Sequence, residues 1–189
     1  MKENYRPLIV TEKEKCKVCY TCVRECPAKA IKITKGQAEI IDDRCIGCGN
    51  CVVVCSQNAK KIRDSKQVVC DLLQENKNMI AMIAPSFPAE FTEIDDYRNF
   101  IAMVRKLGFD KVVEVSFGAD IIALDYFKTK SSNKKEYFIS STCPAIVKFV
   151  EKYHPDIVKY LSTTVSPIIA MQKVIKKEYG NDVKTVFIG

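Results

Sequence analysis

Cys16, Cys19, Cys22 and Cys26 form a C-x2-C-x2-C-x3-C run, and Cys45, Cys48, Cys51 and Cys55 repeat it 29 positions further on. These are eight of the ten cysteines in 189 residues. The spacing is too short and regular for a disulfide framework, and the opening "MKENYRPLIVTEKEK" holds no apolar signal region. Without an oxidising compartment to send it to, such a chain is expected to be cytoplasmic and its thiols to bind metal. Structural zinc sites use paired C-x2-C knuckles, for which a third cysteine at equal spacing is superfluous.

The runs resemble the bacterial ferredoxin signature, in which the fourth cysteine of each run ligates the other run's cluster. That crossing assigns Cys16, Cys19, Cys22 and Cys55 to one [4Fe–4S] cluster, and Cys45, Cys48, Cys51 and Cys26 to a second. Three cysteines at i, i+3 and i+6 on a loop wrap three corners of a cubane. The fourth corner comes from beyond the other triplet and ties the halves together.

The repeat extends past the cysteines: Ala30 falls on Ala59, Ile33 on Ile62 and Ile40 on Val69. A loop, a helical turn and two strands are expected in each half, with "GQAEIID" and "KQVVCDL" as matching strands. Cys70 then falls on Ile41 and is expected to be a small apolar core residue and not a ligand. Ser56 stands where a second "CP" would have proline, which changes the turn but removes no ligand.

The pattern changes after the polar stretch "LQENKNM". "NMIAMIAP" is the continuous apolar run of a strand buried on both faces. A helix follows in "DDYRNFIAMVRKLG", with Tyr97, Phe100, Ile101, Val104 and Leu107 on one face and Gly108 as its cap. "KVVEVS" and "YFIS" read as strands, "ADIIALDYFKT" and "PAIVKFVEKYH" as helices, then "SPIIAMQKVIKKEYG" as a helix and "VKTVFI" as a strand. The alternation predicts a parallel sheet covered on both faces. The fold expected is an α+β ferredoxin-like dicluster domain over residues 1–73, a linker at 74–78, and an α/β parallel-sheet domain over 79–189.

Ligands of open parallel sheets sit beyond the carboxyl ends of the strands. Those ends are Ala84–Ser86, Ser116–Gly118 and Ser140–Cys143. Pro144 suits the first turn of a helix, which makes Cys143 its N-cap, and Ser166–Pro167 opens the next helix in the same way. A helix start favours a thiolate, so Cys143 is either a metal ligand or a thiol packed under its helix.

The ordered set after residue 79 resembles the iron-only, or [FeFe], hydrogenase family. "SSTCPAI" stands where that family has "TSCCPxW". "KYHPDIVKYLSTTVSP" follows its "YHPEL" and "SP" stretches, "APSFPAEF" its "AP" loop, and "FGADI" also matches. The resemblance implies that the α/β domain is half of a large-subunit catalytic domain. It also implies that Cys143 ligates an H-cluster-type iron site, with Ala84, Pro85, Ser86, Ser166 and Pro167 around it. It further implies a redox partner protein and an anaerobic setting. Thr142 replaces the family's proton-shuttling cysteine, and Tyr126 and Thr129 replace two acidic proton-path residues, while Ser162 matches the pathway serine. These departures resemble the sensory, or group D, branch. The family's later cysteine motifs, one beginning "PC", are not reached by "VKTVFIG". The expectation is therefore the N-terminal portion of a longer protein, inactive alone and in need of the rest of the domain. The alternative is a non-catalytic dicluster electron carrier with an α/β interaction domain.

Other features exclude more than they assign. The net charge of +7 is spread along the chain without a dense basic tract, so no nucleic-acid partner is expected. No run has the length of a membrane span. His154 precedes Pro155 at a helix end and reads as a surface or capping residue.

Overall fold

Short antiparallel ladders build the cysteine-rich half. The computed structural model describes residues 8–75, 78–132 and 137–189. Strand β1 (Ile9–Thr11) is followed by the single-turn helix α1 (Thr21–Arg24), and β2 (Ile31–Thr34) and β3 (Gln37–Ile40) form a hairpin. The turn α2 (Asn50–Val53) and β4 (Lys60–Ile62) complete the second half, with β4 antiparallel to β1. Alanines 28, 30, 38 and 59 with Ile9, Ile31 and Ile46 make the core between the cysteine loops.

The pseudo-twofold is written into the backbone. Val18, Tyr20 and Lys29 take positive φ angles of 52°, 62° and 47°. Gly47, Gly49 and Asn58, each 29 positions on, take 74°, 77° and 51°. Glycine enters this region freely, whereas a β-branched valine does so only when its surroundings force it. The tight loop geometry is therefore imposed in both halves, whatever the residue type.

The expected strand "KQVVCDL" is instead helix α3 (Lys66–Glu75). Val69, Leu72 and Leu73 recur at helical spacing and pack on the core of the second unit, and Cys70 is exposed on the helix, not buried. The strand that this segment would have supplied comes from the N-terminal side, since β1 pairs with β4.

The second ladder is parallel. β5 (Met79–Ile83) is the central strand between β6 (Lys111–Glu114) and β7 (Lys184–Ile188). Its turn α4 (Phe87–Glu90) leads to α5 (Tyr97–Lys106), N-capped by Asp96, whose side chain accepts from Arg98 N. Helix α5 packs Phe100 and Val104 on one face of the sheet. On the other face, Met171 and Ile175 of α8 (Pro167–Tyr179) meet Ile80 and Met82.

Helix α6 (Val115–Ser132) begins directly at the end of β6, so Ser116–Gly118 form its first turn and not a loop at a strand end. A Cβ on Gly118 would lie 2.4 Å from the Pro167 carbonyl oxygen, so this glycine permits the close crossing of α6 and α8. "YFIS" forms no named strand; only Ile139 bridges in parallel to Leu161. Helix α7 (Pro144–Tyr153) and a 3-10 turn (Pro155–Tyr160) precede α8.

Two compact units result. One joins the described part of residues 1–64 to 143–159, and the other joins 65–142 to 160–189. The division thus differs from the expected one at both ends: α3 belongs with the sheet, and α7 with the cysteine loops. Phe149 packs on the first core, Tyr153 donates to the carbonyls of Ala28 and Arg44, and Lys152 donates to those of Asp43 and Cys45. No helix among the described residues is long and apolar enough to cross a membrane.

Candidate metal centres

Each cysteine run places three thiols around one space through a loop with two left-handed residues. Its fourth thiol lies past the helical turn, on the side of the other loop. Cys16, Cys19, Cys22 and Cys55 line one cavity of about 350 Å³, counting its open mouth. Cys26, Cys45, Cys48 and Cys51 line a second of about 330 Å³. No three His, Cys, Asp or Glu side chains among the described residues are drawn together as for a single ion. The quartets surround a space instead.

Backbone donors reach three of the sulfurs, two of them as a matching pair. Ala30 N donates to Cys26 Sγ and Ala59 N to Cys55 Sγ, both at 3.3 Å, and Gly47 N donates to Cys45 Sγ at 3.4 Å. Hydrogen bonds to a thiolate stabilise its charge and raise the potential of a cluster bound through it. Four convergent thiols and an aimed N–H group fit an iron–sulfur cluster at each site, with a wall free of charged residues at the second and Lys17 and Lys60 in the wall of the first.

The thiols do not share one electrostatic setting. Burial pushes Cys51 up to about 11 and also raises Cys22, with the Lys60 charge pulling both the other way. A hydrogen bond with the Thr21 hydroxyl, 3.5 Å away, holds exposed Cys19 below its ordinary value. Buried thiols that resist ionisation in water ionise when metal replaces the proton.

The residues expected around a further site fall in both units, Cys143 in the first and Ala84, Pro85, Ser86, Ser166 and Pro167 in the second. Ala84 and Ser86 line an open cavity of about 940 Å³ at the carboxyl ends of β5 and β7, with Phe87, Phe91 and Phe100. Pro85 is the residue between them in the chain. Cys143 is exposed and N-caps α7 through its backbone, without a side-chain cap bond. Ser166 N-caps α8 and Pro167 opens it, with Ser166 Oγ accepting from Ile169 N. Ser162 is buried, and its Oγ accepts from Thr164 N at 3.0 Å. His154 caps the end of α7 with its ring 5.0 Å from that of Phe149.

Sequence reasoning missed a hydroxyl cluster here. Tyr126 OH accepts from Ser140 Oγ at 3.1 Å and from Ser141 N at 3.0 Å, and lies 3.5 Å from Thr142 Oγ1. Ser140 Oγ and Thr142 Oγ1 are 2.8 Å apart. Burial raises the Tyr126 phenol, but these hydrogen bonds from residues 140–142 outweigh it and bring the group down to about 8. Thr129 lies on the same helix, α6. The available signal was the run of hydroxyl residues "SST".

Two thiol-lined cavities on a twofold repeat, in a chain that also holds a unit built on a parallel sheet, define an iron–sulfur protein with a dicluster ferredoxin-like half. Residues 77–189 match the family model of the iron-only hydrogenase large subunit, C-terminal domain, and residues 8–56 match that of the 4Fe-4S dicluster domain. The chain belongs to the iron-only hydrogenase large-subunit family. It is 25% identical to the NADP-reducing hydrogenase subunit HndD of Solidesulfovibrio fructosivorans, over 92% of this chain and 35% of that protein. It is 26% identical to the cytosolic Fe-S cluster assembly factor NAR1 of Yarrowia lipolytica, over 70% of this chain and 30% of that one. The apo [FeFe]-hydrogenase HydA1 of Chlamydomonas reinhardtii shares the fold over 66% of this chain and 37% of its own, at a TM-score of 0.51 and 20% identity. The chain thus spans about a third of the length of these relatives. It is an iron–sulfur electron-transfer protein related to them.

Proposed function

We propose that this chain relays electrons through two [4Fe–4S] clusters to an H-cluster-type site, as part of an [FeFe]-hydrogenase-like redox or hydrogen-sensing protein. Cys16, Cys19, Cys22 and Cys55 hold the first cluster, and Cys45, Cys48, Cys51 and Cys26 the second. The α/β unit corresponds to part of a hydrogenase catalytic domain, in which Cys143 is a ligand and Ala84, Pro85, Ser86, Ser166 and Pro167 are neighbours. The observation that carries this reading is the sorting of eight thiols into two cavities, each taking its fourth thiol from the other run.

A bound cluster supplies one-electron transfer without proton movement. The chain's residues do the rest: the thiols fix position, the N–H groups of Ala30, Ala59 and Gly47 offset negative charge, and the apolar wall of the second site excludes water. A redox protein is the partner. HndD bears the name of a subunit of an NADP-reducing hydrogenase, which supports assembly into a larger redox complex.

A second reading, a carrier without hydrogen chemistry, draws support from Thr142, a hydroxyl where the family's shuttle has a thiol. Hydrogen evolution by the whole protein from a reduced donor separates the two, since a carrier evolves none. For the clusters themselves, anaerobic reconstitution of this chain is expected to give about eight iron atoms per chain. Cys143→Ala should keep them all. A wild-type content of about four, or stoichiometric zinc, contradicts the two-cluster reading.

A further inference from the structure

The two cavities are related by the repeat in every cysteine, yet their walls differ in charge. Lys17 and Lys60 line the first. Ile46 and Ile31, 29 positions away in each case, line the second, which has no charged residue in its wall. Lys17 is exposed, and water screens it. Lys60 is 2% exposed, the most deeply buried charged residue among those described.

Lys60 opens β4 opposite Thr11, as Ile31 opens β2 opposite Ile40. Its Nζ donates to Thr11 Oγ1 at 2.5 Å and to the Ala38 carbonyl at 2.8 Å. Thr11 Oγ1 in turn donates to the Ala38 carbonyl at 2.8 Å. These are neutral partners. Among the described residues no carboxylate pairs with Lys60; nearby Glu12 is taken by Lys15 and Lys61. A buried ammonium without a counter-charge is costly to keep, and apolar Ile31 shows that the fold accepts an aliphatic side chain at the matching place.

The missing counter-charge is supplied by the cavity. Four thiolates outweigh the positive charge of an iron–sulfur core, so the assembly is anionic and gains one further negative charge on reduction. We infer that Lys60 makes the Cys16/Cys19/Cys22/Cys55 cluster the higher-potential one, so that the first electron to enter the pair settles there. This rests on the two-cluster reading above.

The redox step is a one-electron uptake by the cluster core, from the 2+ to the 1+ state, supplied by an external reductant; no bond forms or breaks. Lys60 stands in the wall of the first site and stabilises the added charge there most, although its charge also reaches Cys51 of the second. At the second site, the Ile31 and Ile46 wall disfavours it, because low-dielectric surroundings penalise the more highly charged form. Both differences act in one direction; the extra backbone donor at the second site, Gly47 N to Cys45 Sγ, acts against them, but as a neutral dipole and not a full charge. Lys152 also reaches the second site, but from solvent and on the Cys45 backbone oxygen, so its charge is screened. Thr21 adds to the asymmetry through its contact with Cys19; its repeat counterpart Asn50 turns away and donates to the Glu25 carbonyl.

The test is a dithionite titration of the full reconstituted chain followed by electron paramagnetic resonance. Cys48→Ala, which leaves the first site intact, identifies the first site's signal. The first electron is expected at the first site with a preference on the order of tenfold or more, the effect of one unit charge at short range in a protein-like dielectric. Lys60→Met should retain about eight iron atoms, lower the first site's midpoint and abolish the preference, whereas Lys60→Arg should keep it. Unchanged midpoints in Lys60→Met with both clusters present overturn the inference, and so does a wild-type chain whose second site fills first. The wild-type order decides even if Lys60→Met fails to fold. A wild-type chain lacking two four-iron signals instead overturns the reading on which the inference stands.

Discussion

Every residue of β5 is at least 97% buried by its neighbours, with exposures from 0 to 3% from Met79 to Ile83. Among the described residues of the cysteine-rich unit no strand exceeds four residues, and much of the core is alanine. Burying each Ile or Met of β5 contributes about 1.5–3 kcal/mol, while an alanine adds a fraction of that. The parallel sheet is thus stabilised by its own side chains. The first unit gathers thiols around two cavities and forces Val18 and Tyr20 into the left-handed region to do so. Small units with such cores depend on a metal for much of their stability. Within one chain, apolar packing is thus expected to carry the stability of one unit, and bound metal much of that of the other.

Anaerobic chelation of iron breaks this comparison most directly, and has the largest effect expected. Amide-exchange protection over β1–β4 should collapse, while β5 keeps its protection. Equal loss in both units, or none in the first, would place the stability of the cysteine loops elsewhere.

A smaller effect sharpens the contrast in electrostatics. In the first unit burial raises the thiols of Cys22 and Cys51; in the second, hydrogen bonds lower the phenol of Tyr126 from 10 to about 8. A tyrosinate absorbance step near pH 8 is therefore expected, and Tyr126→Phe should remove it. Because the folded value is the lower one, the ionised phenol stabilises the fold fully above pH 10, and this contribution fades as pH falls through 8. Titration of all tyrosines together near pH 10 would show that residues 140–142 do not hold the phenolate.

What could be read from the sequence followed from how local each signal was. The cysteine runs carry their spacing in eleven residues each and needed no tertiary information. The apolar run of β5 and the amphipathic patterns of α5 and α8 were legible for the same reason. Extending the repeat beyond Ile62 misled, because Val69, Leu72 and Leu73 have helical and not strand spacing, and they answer to the sheet unit. "YFIS" has strand composition, yet only Ile139 finds a partner. "VVEVS" has strand propensity as far as Ser116, yet pairing with β5 ends at Glu114 and helix α6 starts at Val115. Lys60 was visible as a lysine where the first half has Ile31. Its significance depended on burial, which a surface-prone residue type does not announce.

The central claim is that each cavity takes its fourth thiol from the other run, and iron counting in double variants tests it. Cys26→Ala with Cys48→Ala removes two ligands of one site, and should leave about four iron atoms per chain. Cys26→Ala with Cys19→Ala strikes both sites, and should leave none. The opposite result, with iron retained when Cys19 and Cys26 are replaced together and lost when Cys26 and Cys48 are, would mean that each run closes on its own cluster.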